Sequence, residues 1–266
     1  MPELPDVEGF RRVAEQADHR QVRDVRVHDA QVLRGVGTDE FRLALRRRYF
    51  AEPRRHGKWL LIATAAAPNA SAAPPTVLVH FGMTGNLQWC AHDDELHPHD
   101  RVVFDFAAGE LRYRDMRKLT GIHLAREQAE VDDLLAELGP DAQRIDAAEF
   151  GSRLTRTRRR LKPALMDQSV LAGLGNICAD EILWRARISP NRSTAELSDD
   201  DLDRLHREMR EMLRVAVRAG RVPDGASWLT GHRDEPDRRC PRCSSALRRL
   251  RIGGRSTLFC PVCQPE

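Results

Sequence analysis

Four cysteines near the C-terminus constrain this chain most. Cys240-x2-Cys243 is followed, 16 residues on, by Cys260-x2-Cys263. Each CxxC puts two thiolates on one tight knuckle, and two knuckles supply the tetrahedral sulfur set that Zn2+ prefers. Pro241 and Pro261 stiffen both knuckles. Four protein ligands leave no position for water, so a single structural zinc is expected, without which this segment cannot fold. A redox dithiol pair is the other chemistry such spacing allows. Between the knuckles, Leu247–Phe259 reads as a hairpin with Gly253-Gly254-Arg255 at its tip. Glycines there allow close backbone approach to a ligand, and the Arg255 guanidinium suits a phosphate. A bare exposed tip would have the same sequence. Cys90 and Cys178 stand apart and are expected to be buried small hydrophobes.

The chain has 266 residues, 41% apolar and 31% charged. That is enough for two domains and a small appendage. No apolar run approaches the roughly 20 residues needed to span a bilayer. The N-terminus lacks a basic-then-apolar leader, so a cytoplasmic protein is expected. Net charge is only +3, a weak pointer to a polyanionic partner. Of 43 basic residues only Lys58, Lys118 and Lys162 are lysine. GC-rich codon usage would by itself produce such an excess of arginine. Where arginine is the default cation, a retained lysine draws attention to work a guanidinium cannot do, such as giving up a proton. Lys58 and Lys162 are the candidates.

Residues 6–18 read as a helix, with Pro5 near its start and an apolar stripe of Val7, Phe10, Val13, Ala14 and Ala17. Strand patterns follow around Val22–Val27 and over Thr76–Phe81. Arg101–Phe106 and Glu110–Arg114 form a hairpin pattern. Ala65–Pro75 reads as an exposed loop. Helical patterns then take over at 127–138, 146–160, and in two stretches of 162–187 around Leu171-Ala-Gly-Leu-Gly-Asn176. Residues 198–219 read as a long amphipathic helix, with Ser198 as N-cap and Gly220 as stop. Residues 221–239 are polar and irregular. These patterns divide the chain into a mostly β segment with a leading helix (1–125), a helical segment (126–225) and a cysteine finger (226–266). The turn Gly173-Leu174-Gly175-Asn176 feeds a helix N-terminus, whose N–H groups and dipole suit one phosphate. Steric need in a helix-to-helix turn explains the same glycines.

Taken together, several motifs resemble the formamidopyrimidine-DNA glycosylase / endonuclease VIII family. They are Met1-Pro-Glu-Leu-Pro-Asp-Val-Glu8, His56-Gly-Lys58, His80-Phe-Gly-Met-Thr-Gly85, Asp115-Met-Arg-Lys-Leu119 and Leu161–Asn176, followed by the paired cysteines and Arg255. The resemblance runs from residue 1 to 263 with the motifs in order. It implies an α+β multidomain fold: an N-terminal β-sandwich with a leading helix, a helical domain with a helix–two-turn–helix motif, and a C-terminal zinc finger. It implies base-excision repair of damaged double-stranded DNA by a monomeric, bifunctional glycosylase and abasic-site lyase, a bacterial nucleoid-associated enzyme with no membrane partner.

The chemistry has a physical basis in the residues. An α-amine has a pKa of about 8, against about 10.4 for lysine, so much more of it is unprotonated at neutral pH. Methionine before a small residue is readily trimmed, which would leave Pro2 as a secondary amine able to attack C1′ of a sugar. Attack expels the base and leaves an iminium, which acidifies the C2′ proton. Glu3, next in the chain, can protonate the ring oxygen or the leaving group. The resemblance assigns Glu3 that role, Lys58 a proton-donor role in β-elimination, and Arg255 phosphate binding and δ-elimination. The target nucleotide must leave the stack first. The resemblance puts Met83, Arg117 and Leu119 at the positions that fill the gap. It also places His99, Arg158, Lys162 and Asn176 against DNA or the flipped nucleotide.

Three departures bear on the substrate. Asp6 replaces the usual glutamate, Leu119 replaces an aromatic wedge, and 221–239 is shorter than in the purine-repair branch. The preferred base therefore stays open among oxidised and ring-opened forms. A non-catalytic damaged-DNA-binding protein on the same scaffold is the alternative, although binding alone has no need of Pro2, Glu3 and Lys58. A specialist for an unusual lesion such as a crosslink is a third reading.

Overall fold

The computed structural model describes residues 1–65 and 74–265. Most of the Ala65–Pro75 segment, expected as a loop, lies outside the described residues. The contacts resolve two compact units: Met1–Pro2 with Asp6–Glu137, and Glu3–Pro5 with Leu138–Glu266.

Up to residue 137 the chain forms α1 (Leu4–Ala14), β1 (Asp24–Val27), β2 (Leu33–Arg34), α2 (Thr38–Leu45), β3 (Tyr49–Phe50), β4 (Arg54–His56), β5 (Trp59–Ala65), β6 (Thr76–His80), β7 (Asn86–Cys90), β8 (Asp100–Phe106), β9 (Gly109–Arg114), β10 (Gly121–Ala125) and α3 (Gln128–Leu135). The leading helix starts and stops earlier than the expected 6–18. Pro5 sits in its first turn, where no N–H is needed, so the helix can begin before it. Its last turn tightens into a 3-10 turn at Glu15–Ala17. One sheet has the order β1-β8-β9-β7; the other runs β2-β10-β6-β5-β3, with β4 also paired to β5. Alternation along β5 buries Leu60, Ile62 and Thr64. Val25, Phe104, Phe106 and Leu111 from the first sheet join Phe50, Leu60, Ile62, Val77 and Val79 from the second in one apolar core. Fully burying such a side chain contributes about 1.5–3 kcal/mol.

The second unit holds α4 (Ala147–Arg156), α5 (Leu161–Met166), α6 (Asn176–Ala186), α7 (Asp199–Ala219), and the hairpin β11 (Arg248–Ile252) with β12 (Arg255–Phe259). The α4 helix ends at Arg156 instead of 160. The Thr157 hydroxyl donates to the Leu154 carbonyl at 2.8 Å, and Arg158 takes a left-handed φ of 45° that turns the chain away. The Ser198 side chain caps α7 in a capping box with Asp201, and Gly220 stops the helix at φ 68°. Leu205, Met209, Met212, Leu213 and Ala216 form its buried stripe. Residues 221–239 are largely irregular, as expected, but not simply polar. Trp228 and Leu229 are buried. Glu181 of α6 accepts from the Thr230 N–H and hydroxyl, both at 3.2 Å, and the Arg185 guanidinium lies 4.1 Å over the Trp228 ring. Among the described residues no helix is long and apolar enough to cross a membrane.

Candidate active site and nucleic-acid interface

Glu3 is the most constrained of the expected catalytic residues. It is only 2% exposed. Its Oε2 accepts the N–H groups of Gly175 and Cys178, each at 2.9 Å, and its Oε1 accepts that of Ile177 at 2.8 Å. These are the opening N–H groups of α6, so the carboxylate caps the helix at the positive end of its dipole, an arrangement worth up to about 2 kcal/mol. The reading of this glycine-rich turn as a phosphate cradle is thereby corrected: the anion it holds is Glu3. Glycine is required at 175 because a Cβ there would lie 2.3 Å from the Glu3 Cδ. The Leu4 N–H donates to the Gly173 carbonyl at 3.0 Å, fixing the next residue as well. Pro2, immediately before, is partly buried, and Met1 is 43% exposed. The Asn176 side chain is partly buried, and its Oδ1 has no hydrogen-bond partner among the described residues.

In the first unit, Lys58 is buried in the tight turn between β4 and β5. Arg55, also buried, donates to the Gly57 carbonyl at 2.9 Å and to Glu8 Oε2 at 3.1 Å, tying that turn to α1. Sequence reading missed Arg55 because nothing local distinguishes it from the arginines around it. His80, one strand over, is pushed down to about 4 by burial first and then by the Lys58 charge.

Met83, Arg117 and Leu119 lie on two loops of the same unit and are exposed. Asp115, itself 1% exposed, holds these loops. Its Oδ1 accepts the Thr84 hydroxyl at 2.5 Å and the Arg117 N–H at 3.0 Å; its Oδ2 accepts the Lys118 N–H at 3.1 Å. Arg117 Nη1 lies 3.0 Å from the Met83 sulfur. Met116 is as exposed as Leu119, 54% each, and adds an apolar group that sequence reading did not single out. His99 joins this region through Arg101, whose Nη2 lies 3.0 Å from His99 Nδ1 and whose Nε donates to the Asp115 carbonyl at 2.7 Å.

In the second unit Arg158 is exposed, and so is Arg255 at the start of β12. The tip Gly253-Gly254 has φ of 55° and 75°, the two positive values that a two-residue type I′ turn needs. Lys162, expected against DNA or the flipped nucleotide, has a side chain that is 0% exposed. Its Nζ lies 2.6 Å from Asp180 Oδ1 and donates to the Thr257 hydroxyl at 2.8 Å and the Ser256 carbonyl at 3.1 Å. Burial pulls this ammonium below its ordinary value, against the opposing pull of Asp180. Removing one partner of such a pair costs about 3–5 kcal/mol.

The Sγ atoms of the four clustered cysteines lie 3.8 Å (Cys240–Cys263), 3.5 Å (Cys243–Cys260) and 3.5 Å (Cys243–Cys263) apart. Zinc–sulfur bonds of about 2.3 Å in a tetrahedron put the sulfurs about 3.8 Å apart, whereas a disulfide needs about 2.05 Å. The residues fit one structural Zn2+. The Trp184 indole N–H points at the Cys240 sulfur from 3.4 Å, and Trp184, Leu229 and Leu258 pack around the site. Of the two lone cysteines, Cys178 is fully buried as expected, while Cys90 is only partly so.

Three family descriptions match the chain: the formamidopyrimidine-DNA glycosylase N-terminal domain over residues 1–122, the helix–two-turn–helix domain of the same enzyme over 138–224, and a zinc finger over 239–265. A formamidopyrimidine-DNA glycosylase of Desulfitobacterium hafniense is 32% identical, covering 99% of this chain and 100% of its own. A Lactococcus lactis enzyme of that name, solved with Fapy-dG containing DNA, has a TM-score of 0.87 at 27% identity, over 99% of this chain and 100% of its own. The same enzyme bound non-covalently to DNA containing an abasic site gives 0.85 at 27% identity, with the same coverage.

Proposed function

The chain belongs to the formamidopyrimidine-DNA glycosylase family, and from that premise we propose how its residues divide the work. It is a base-excision repair glycosylase with abasic-site lyase activity, acting on damaged duplex DNA and carrying one structural zinc. Its substrates are oxidised or ring-opened bases. Its place is the cytoplasm, on nucleoid DNA.

The Pro2 amine, once Met1 is removed, forms a bond to C1′. The base leaves with the electron pair of its glycosidic bond and takes up a proton, while the Pro2 nitrogen gives up the proton it carried as a secondary amine. The ring opens to an iminium as Glu3 serves the O4′ oxygen with a proton. Loss of the C2′ proton then expels the 3′ phosphate with the C3′–O pair, with Lys58 supplying the proton needed in this step. Arg255 binds phosphate and promotes the second elimination. Met83, Arg117 and Leu119 fill the space left by the flipped nucleotide, Leu119 as an aliphatic plug in place of a ring. His99, Arg158 and Asn176 serve the backbone and the extruded nucleotide. The zinc holds the hairpin that carries Arg255.

The observation that carries this reading is the burial of Glu3 in the N-terminus of α6. It fixes the residue that follows the amine, as a nucleophile at a chain end requires if it is to be held in register. The test is end analysis of a labelled duplex containing one abasic site, incubated with trimmed protein. Cleavage leaving phosphate at both sides of the gap is expected. An intact strand, with the duplex still bound, would contradict the enzymatic reading and leave a binding protein.

A further inference from the structure

Lys162 grips the finger hairpin one residue from Arg255. Its Nζ holds the Ser256 carbonyl and the Thr257 hydroxyl, while the next residue, Pro163, packs against the hairpin tip, where a Cβ on Gly253 would stand 3.0 Å from its Cγ. Asp180 completes the grip. Its Oδ2 accepts the Leu258 N–H at 3.1 Å and Arg233 Nη2 at 2.5 Å, and its Oδ1 meets Lys162. Asp180 also lies on α6, two residues beyond Cys178, whose N–H holds Glu3. The same short helix therefore fixes Glu3 at its first turn and the hairpin strand just after it.

We propose that Lys162, with Asp180 and Thr257, is a positioning cluster that sets the register of Arg255 relative to Glu3, and so governs the second elimination rather than the first attack. This rests on the roles proposed above for Pro2 and Arg255. In that second step the C4′ proton leaves and its electron pair delocalises onto the iminium nitrogen. The pair then returns to expel the 5′ phosphate with the C5′–O bonding pair. The step demands a guanidinium at a defined place, and a displacement of about 1 Å can cost about a hundredfold in rate. Formation of the Pro2 adduct makes no such demand on the hairpin. Three features separate a positioning role from simple core filling. The cation is 0% exposed, its ion-pair and hydrogen-bond partners Asp180, Ser256 and Thr257 lie on α6 and β12, and the gripped residues adjoin the one that acts.

The experiment compares zinc-loaded wild-type protein with Lys162→Met, Thr257→Val and Thr257→Ser on a duplex with one abasic site. It reads borohydride-trapped adduct and the ratio of single-elimination to double-elimination ends. Lys162→Met is expected to lower the rate of the second elimination by about tenfold or more while trapping stays within about threefold. Thr257→Val, which removes one partner and leaves the ion pair, is expected to shift the ratio in the same direction and keep the protein folded if Lys162→Met unfolds. Thr257→Ser is expected to restore the wild-type ratio. An unchanged ratio in Thr257→Val, or parallel loss of trapping and ratio in folded, zinc-containing variants, would overturn the positioning role. Failure of wild-type protein to trap would instead overturn the proposed function beneath it.

Discussion

Stripping the zinc is expected to weaken binding to a lesion-containing duplex by about a hundredfold or more, and returning Zn2+ is expected to restore it. The four sulfurs are the centre of a very small core: Trp184, Leu229 and Leu258 with Cys240 and Cys260. Without the metal, four mutually close thiolates have nothing to hold them together, and the folding free energy that binding supplies, about 10–16 kcal/mol in comparable fingers, is lost. The hairpin β11–β12 then loses its base, and Arg255 its position. Fluorescence anisotropy with chelated and re-metallated protein measures this. An apoprotein that binds within about threefold of the holoprotein would show that the finger contributes little to the DNA contact.

The second large effect concerns Glu3. Glu3→Gln is expected to slow base release by about a hundredfold to ten-thousandfold, the range for removing a general acid or base. Glutamine can accept N–H bonds with its oxygen only, so its NH2 group would face a donor of α6. Gly175→Ala should produce a loss of the same order while leaving Glu3 chemically unaltered, because the added Cβ would lie 2.3 Å from the Glu3 Cδ and must displace the carboxylate. Single-turnover release of a damaged base is the measurement. A Gly175→Ala protein of wild-type rate would mean that the observed seat of Glu3 is not the reactive one.

Much of this was readable in the sequence where its cause is local. Ser198 and Gly220 bracket α7 through caps that act within a few residues. The hairpin tip at Gly253-Gly254 follows from the positive φ that its turn demands. The cysteine spacing announces the zinc. What escaped depended on partners distant in the chain. The N–H groups of the glycine-rich turn looked vacant because the carboxylate that fills them lies more than 170 positions away. Lys162 stands out as a lysine able to give up a proton, and its burial was not legible because Asp180, Ser256 and Thr257 come together around it only in the fold. Met116 and Arg55 have no local pattern to mark them: Asp115, bonded to Thr84, anchors the loop that presents Met116, and Glu8 on α1 holds Arg55, each through a contact distant in the chain. Leu119 was legible as a departure, and its exposed position beside Met116 and Arg117 fits an aliphatic wedge.

The most direct test is mass spectrometry of the peptide that carries the sugar after borohydride reduction of the protein–DNA adduct. The modification is expected on the peptide beginning with Pro2, at its nitrogen, and only in material from which Met1 has been removed. Finding it on Lys58, or finding active protein with Met1 still attached, would contradict Pro2 as the nucleophile.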